Sequence, residues 1–298
     1  MSDRKSDRMS DHVPPGAVIS IGNFDGVHVG HRALLSRMRE LADAAGAPAV
    51  VITFFPPAKV FFTGTDYLST AEEKLLLLEE FRPDKVVMVP FDREFSHTTK
   101  QEFLARLAAM QPSSFVVGGD FRFGQGREGS VTDLAALAPV EPFELVEQGG
   151  LPVGSTRIRE LLAEGQIEQA NRLLGARYLA HGTVSKGAER GSSIGYPTAN
   201  LRLNPRKALP PGVYAVTVDA LGASHGGMAN VGPRPTFPDD PPSLEVHLFD
   251  FAADLYDREI TVRFTGKIRD QVRFGSLEEL KERLAADEVA ARDILTAS

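Results

Sequence analysis

Residues 17–31 read AVISIGNFDGVHVGH: an apolar run closing on Gly22, a turn with further glycines at 26 and 30, and a His-x-Gly-His step into the next segment. The run Ala17–Gly22 has the make-up of a short buried strand. Leu34, Leu35, Met38 and Leu41 then recur at helical spacing over residues 30–45, so the turn joins a strand to a helix. Working outward, the alternation repeats. Ala49–Phe55 is an unbroken buried-strand pattern, and residues 70–81 are helical, with Thr70 and Glu73 spaced as a capping box. Lys85–Val89 predicts a strand, Lys100–Ala109 a helix and Phe115–Val117 a strand. Continuous apolar strands alternating with helices imply a parallel sheet covered on both faces, with its ligand site beyond the carboxyl ends of the strands.

After about Gly175 the pattern changes. GVYAVTVDA (212–220), LEVHLFDF (244–251) and EITVRF (259–264) are short β-rich runs broken by Gly and Pro, which predicts an antiparallel barrel or sandwich. Five prolines within Pro233–Pro242 mark an irregular loop. A last helix is expected over Leu277–Leu295, packed on the β-structure by Leu277, Leu280 and Leu284.

Composition agrees with two globular domains. The chain has 298 residues, 42% apolar and 24% charged, which excludes a mainly disordered or coiled-coil protein. A net charge of −7 argues against broad binding to nucleic acid or anionic membrane and leaves room for local cationic sites. Cysteine and tryptophan are absent, so no disulfide, thiolate metal site or cysteine nucleophile exists. A reducing, cytoplasmic location is compatible with this and is expected. No stretch approaches the roughly 18 apolar residues of a membrane span. Residues 1–12 mix both charge signs without an apolar core, unlike a signal peptide; a disordered tail is expected over 1–13. A weak homo-oligomer is compatible with the sequence.

Two constellations carry chemistry. In the first, the glycines of GNFDGVHVGH (22–31) permit close backbone approach to a ligand, and the free N–H groups of the following helix offer a phosphate site. Imidazoles at His28 and His31 oppose the helix dipole there, a conflict a bound phosphate would remove. Ser155-Thr156-Arg157-Ile158-Arg159 places arginines in another first helical turn, with Ser155 or Thr156 as its expected cap. Arginines beside free N–H groups make a polyphosphate clamp. Gly124-Gln125-Gly126-Arg127-Glu128-Gly129 fits a dinucleotide fingerprint but lacks the immediate strand-to-helix turn of one.

In the second, GTVSKGAERGSSIGYPTANL (182–201) reads as a mobile glycine-rich loop over a phosphate, followed by a turn. The Thr198 hydroxyl and Asn200 amide are suitable hard ligands for Mg²⁺. In Leu244–Phe249 the period of two puts Leu244, Val246 and Leu248 on one face and Glu245, His247 and Phe249 on the other. Glu245 is a candidate base.

GNFDGVHVGH, VGGDFRFGQGREG (117–129) and STRIR (155–159) resemble the adenylyltransferase domain of the bacterial bifunctional riboflavin kinase/FMN adenylyltransferase (FAD synthetase) family. PTAN (197–200), GVYAV (212–216), GMANVGPRPTF (227–237), LEVHLFDF and Lys267-Ile268-Arg269-Asp270 resemble its kinase domain. The resemblance implies a Rossmann-like α/β nucleotidyltransferase domain over 14–177 and a six-stranded Greek-key β-barrel with a terminal helix over 178–298. It implies riboflavin phosphorylation to FMN with Mg-ATP, releasing ADP, and then adenylylation of FMN to FAD with ATP, releasing pyrophosphate.

Carried over, His28 and His31 stabilise the α-phosphate and Arg157 holds the leaving phosphates. Gly22, Phe24, Asp25, Gly26, Gly30, Ser155, Thr156, Arg159, Gly187, Pro197, Thr198 and Asn200 bind nucleotide or phosphate, and Thr198 and Asn200 also hold Mg²⁺. Glu245 activates the ribityl 5′-hydroxyl, while Phe123, Gly124 and Arg269 belong to the flavin pockets. The chain departs from the family at three places. Thr53-Phe54-Phe55-Pro56-Pro57 stands where a P-H-P segment is usual. Gly154 replaces a serine, and Arg190-Gly191-Ser192 replaces R-G-R. The first departure motivates an alternative, a riboflavin kinase without adenylyl transfer; a flavin-binding regulator is a third reading.

Overall fold

A computed structural model of the chain describes residue 9 and residues 13–144, 146–185, 195–232 and 243–298. Gly187, the Arg190-Gly191-Ser192 segment and the proline-rich loop 233–242 lie outside the described residues. Two compact units are present: Met1–Tyr67 with Lys74–Gly154, and Leu68–Glu73 with Ser155–Ser298.

The first unit is built on β1 (Val18–Gly22), α1 (Val29–Ala45), β2 (Ala49–Phe55), α2 (Ala58–Thr63), α3 (Ala71–Glu79, its first turn belonging to the second unit), β3 (Lys85–Pro90), α4 (Arg93–Ser96), α5 (Lys100–Ala109) and β4 (Ser114–Gly118). Then come β5 (Arg122–Phe123), β6 (Gly129–Ser130), α6 (Val131–Ala135), β7 (Val140–Phe143), β8 (Glu147–Gln148) and β9 (Leu151–Pro152). The sheet order is β3-β2-β1-β4-β7, and every pairing is parallel. The first six residues of β2 are all buried, as a strand covered on both faces requires. Ile19, Ile21, Val50, Ile52, Phe115 and Val117 pack with Phe103 and Leu107 of α5 in one apolar cluster. Met9 and Val13, which the sequence places in a tail, are buried in that cluster; residues 1–8 and 10–12 lie outside the described residues. Because β1 is central, chain crossings leave it in opposite directions, and the Gly22 turn sits at the switch point where such sheets bind ligands.

The second unit contains α7 (Ser155–Ala163), α8 (Ile167–Leu174), β10 (Leu179–Ser185), β11 (Ala199–Arg202), β12 (Gly212–Ala220), β13 (Ala223–Gly232), β14 (Ser243–Leu248), β15 (Glu259–Arg269) and α9 (Leu277–Thr296). The strands close into a six-stranded antiparallel barrel, β10-β11-β14-β13-β12-β15. Leu201, Val216, Val218, Leu244, Val246, Val262 and Phe264 are buried in it. The capping box at the start of α3 forms as expected: Thr70 N–H donates to Glu73 Oε2 at 2.8 Å, and Glu73 N–H donates to Thr70 Oγ1 at 3.1 Å. The Glu73 carboxylate also accepts from Lys207 Nζ at 2.7 Å and from the His181 amide at 2.9 Å.

One expectation needs correction. Helix α9 packs on the barrel, but not by Leu277, which is 50% exposed. Leu284, Ala291, Ile294 and Leu295 meet Ala215, Met228, Ile268 and Phe249. The helix is anchored along its later turns because the buried Asp287 is tied there to Arg269.

Candidate active sites

The turn after β1 is tightly wound. Phe24 and Val27 adopt φ of 43°, and Gly26 adopts φ of 80°. A Cβ on Gly22 would lie 2.9 Å from the Phe24 ring, so glycine is required there for the ring to fold back over the strand end. Asp25 is buried in the same turn. His28, in extended backbone, is the N-cap of α1, and its Nδ1 accepts the His31 N–H at 3.4 Å. The two imidazoles stack with centroids 3.6 Å apart and planes 17° apart, and His31 meets Phe24 edge-on at 5.2 Å.

This geometry fixes the protonation. Burial pushes the His28 pKa down to about 4. Burial also holds His31 well below the usual imidazole range, aided by His28 and then Lys74. Both rings are therefore neutral at pH 7, and the clash with the helix dipole expected for cationic imidazoles does not arise. Because His28 Nδ1 is an acceptor, its proton sits on Nε2, which leaves Nε2–H as a donor. His31 Nδ1 is buried without a partner among the described residues, which marks an unmet polar group at a helix N-terminus suited to anions.

The structure also shows a residue the sequence reading missed. Lys74 is fully buried, and its Nζ donates to Asn23 O at 2.8 Å and Phe54 O at 2.6 Å. Nothing local in the sequence around the Thr70–Glu73 capping box marks it for burial.

At 117–129, Phe123 is buried against Phe103 and Phe121, with centroids at 5.0 Å and 5.8 Å. Gly124 is the more exposed of the pair and turns at φ 74°, where a Cβ would lie 2.8 Å from Lys100 N. The fingerprint-like glycines lead into a 3-10 turn at Gln125–Arg127 rather than a helix.

In the second unit α7 begins at Ser155 itself, so Ser155 and Thr156 lie inside its first turn rather than preceding it as caps. Arg157 and Arg159 lie in the first turn and a half, and no acidic residue occupies the first turn.

The barrel brings the kinase-type residues into one row. Register pairs Asn200 of β11 with Glu245 of β14, and Glu245 with Asn230 of β13. Directly opposed residues share a face. Leu244, Val246 and Leu248 are buried, so Asn200, Glu245 and Asn230 lie on the outer face. Asn230 is a second residue not singled out from sequence; its Oδ1 accepts from Gln271 Nε2 at 2.7 Å. Pro197 O is bonded to His247 Nδ1 at 2.8 Å, which fixes the turn carrying Thr198. Phe249, just past the end of β14, keeps to the Glu245 face as expected: its ring lies 5.9 Å from that of His247 and packs with Met228 under α9.

The row continues through Val213 to Arg269 of β15. Arg269 donates to Asp287 from Nε at 2.9 Å and Nη2 at 2.7 Å, and its Nη1 donates to Asp270 O at 2.9 Å. Its guanidinium is thus held by the protein rather than projecting as a free cation. Beside it lies a cavity of about 590 Å³ lined by Gln271, Val272, Phe274, Glu279 and Arg283 among others.

Known proteins match the chain over nearly its whole length. The riboflavin kinase family model matches residues 174–295, and the FAD synthetase model matches residues 10–160. The bifunctional riboflavin kinase/FMN adenylyltransferase of Escherichia coli (strain K12) is 42% identical over 289 residues, covering 93% of this chain and 92% of its own.

The chain belongs to the bifunctional riboflavin kinase/FMN adenylyltransferase family.

Members from Pseudomonas fluorescens and Bacillus subtilis (strain 168) are 40% and 32% identical, covering 95% and 92% of this chain and 94% and 91% of their own. A solved structure described as a macrolide-efflux protein from Streptococcus pneumoniae superposes with a TM-score of 0.86 at 32% identity, covering 96% of this chain and 97% of its own. That description belongs to that protein; the likeness bears on the fold. No helix among the described residues is long and apolar enough to cross a membrane. The chain therefore carries a FAD synthetase domain ahead of a riboflavin kinase domain.

Proposed function

We propose that the kinase domain transfers the γ-phosphoryl group of ATP to riboflavin, and that the adenylyltransferase domain then joins FMN to the AMP part of a second ATP. The proposal keeps functional domains of 14–177 and 178–298, although the helices over 155–174 fall within the second compact unit. It rests above all on one observation: both motif sets occur in family order in a chain whose folded parts carry a stacked His28/His31 pair and an opposed Asn200/Glu245 pair. Both reactions consume ATP, so the proposed work is cytoplasmic.

In the kinase reaction Glu245 takes the proton of the ribityl 5′-hydroxyl, whose oxygen attacks the γ-phosphorus while ADP leaves. Thr198 and Asn200 would hold Mg²⁺, with Gly187 and Pro197 beside the ATP phosphates. The donor set fits the ion. A hydroxyl and an amide oxygen are hard ligands suited to it. Magnesium commonly keeps water and phosphate oxygens and takes few ligands from protein. Bound there it would neutralise phosphate charge. Arg269, immobilised by Asp287, serves the flavin side as a fixed wall.

In the adenylyl reaction an oxygen of the FMN phosphate attacks the α-phosphorus of ATP and pyrophosphate leaves, without a covalent enzyme intermediate. The neutral His28 and His31 rings donate N–H groups to the α-phosphate, and the Gly22, Phe24, Asp25, Gly26 and Gly30 turn supplies the close backbone. Pre-aimed donors of this kind stabilise charge that grows in the transition state. Arg157, with Ser155, Thr156 and Arg159, holds the leaving phosphates, and Phe123 and Gly124 flank the flavin.

The test is a product assay run separately from riboflavin and from FMN with Mg-ATP, followed by chromatography. The proposal expects FMN and then FAD from riboflavin, and FAD from FMN. Seeing neither product overturns it. FMN without FAD would favour the kinase-only reading, which the missing P-H-P histidine motivates.

A further inference from the structure

Lys74 is a buried ammonium whose hydrogen-bond partners among the described residues are all neutral oxygens. Besides Asn23 O and Phe54 O, its Nζ reaches Thr53 Oγ1 at 3.4 Å, and that hydroxyl itself donates to Asn23 O at 3.2 Å. The Phe55 ring lies 5.7 Å away and closes one side. Asn23 opens the turn that ends at His31, and Thr53 and Phe54 belong to β2, the parallel neighbour of β1. One side chain from α3 thus ties the first carbonyl of the phosphate-binding turn to the end of the adjacent strand.

Such a placement is costly unless the charge has a use. A buried cation hydrogen-bonded to neutral oxygens loses its hydration, and burial pushes the Lys74 pKa down to about 8 against the opposing pull of the buried Asp25. The charged or titratable groups that face it are Asp25 in the turn and His31 at the start of α1, with His28 stacked on His31. The end of β2 offers it only carbonyl, hydroxyl and ring. The site therefore holds a buried positive charge, offset in part by Asp25, beside two neutral imidazoles, a balance that an entering polyanion shifts in favour of the charged lysine.

We infer that Lys74 is a positioning residue of adenylyl transfer, which pins the Asn23–His31 turn to β2 and supplies a fixed positive charge behind it for the nucleotide phosphates. The inference rests on reading that turn as the adenylyl-transfer site. Lys74 acts through the turn and through its field, so its loss should be felt in turnover more than in flavin affinity.

Replacing Lys74→Met keeps the volume and removes the charge. The expected result is a fall of about tenfold or more in kcat for FMN to FAD at pH 7, with KM for FMN within about twofold. Riboflavin phosphorylation should stay within about twofold, which reports that the chain is folded. In the unaltered protein the FMN-to-FAD rate should fall above about pH 8, as Lys74 loses its proton. That limb should vanish in the variant, a change that a merely structural lysine would not produce. An unchanged rate, or the same alkaline limb in both proteins, overturns the inference.

A second measurement needs no variant. With ¹⁵N-labelled lysine, the Lys74 Nζ titration midpoint should rise when ATP is added; a midpoint that stays put while His28 and His31 signals report bound ATP also overturns it. If the unaltered protein makes no FAD from FMN at all, the reading of the turn fails instead, which is a separate outcome.

Discussion

The two candidate sites are made by opposite means. The His28/His31 site is set by a wound turn, with positive φ at Phe24, Gly26 and Val27, and by burial that strips the charge from both imidazoles. The Glu245 site is a row of side chains on the outer face of a closed barrel, aligned by strand register between Asn200 and Asn230. The difference teaches where each site gets its precision. In the parallel-sheet unit the backbone and the low dielectric do the positioning, and under the proposed function the ligand brings the anion. In the barrel the register fixes which residues face one another, and under the proposed function phosphate and metal would complete the set. A similar contrast holds for buried charge. Lys207 is neutralised by Glu73, whereas Lys74 bonds only neutral oxygens.

The largest effect should come from Glu245→Ala. Riboflavin phosphorylation is expected to fall by about 10²–10⁴-fold, while FMN-to-FAD conversion stays within about twofold; initial rates of the two conversions check it. His31→Ala should do the reverse, lowering FAD formation by about 10²–10³-fold and sparing the kinase. If either variant, still folded, loses both activities, the separation of the two sites is broken.

The charge contrast is sharpened by stability. Lys207→Met strands the Glu73 carboxylate, and urea unfolding should show a loss of about 3–5 kcal/mol. Adding Glu73→Gln should restore part of it, and Lys74→Met should cost less than Lys207→Met.

The smallest effect is acid sensitivity. The folded His28 midpoint of about 4 lies below its ordinary 6.5. Between those values the unfolded chain binds more protons, so stability falls as pH drops from 6.5 to 4, on the order of 3 kcal/mol for this group. Below pH 4 the full penalty remains, and above 6.5 the contribution is gone. Urea midpoints at pH 7, 5.5 and 4 check it, with His28→Asn flattening the curve.

Much of this was legible in the chain. Residues 49–55, 100–109 and 212–220 form elements with the bounds their periodicity predicts, because unbroken apolar runs and local caps such as Thr99 with Glu102 act over short distances. The His28/His31 pair was legible for the same reason, since three residues and one turn hold it. What escaped was long-range. Lys74 is buried by carbonyls at residues 23 and 54, brought together only when β1 and β2 pair. Arg269 meets Asp287 across a strand and a helix, in the later turns of α9 that pack on the barrel, while Leu277 is half exposed. Asn230 gains its meaning from register, which no local pattern states. The two-residue strands β5, β6, β8 and β9 are too short to carry a period at all.

The central claim is that two chemistries sit on separate residues of one chain. Its most direct test gives the Glu245→Ala variant FMN and Mg-ATP in one vessel and riboflavin and Mg-ATP in another, and resolves the flavins by chromatography. The account predicts FAD at the unaltered rate in the first and unreacted riboflavin in the second. FAD missing from the first, or FMN accumulating in the second, would contradict it.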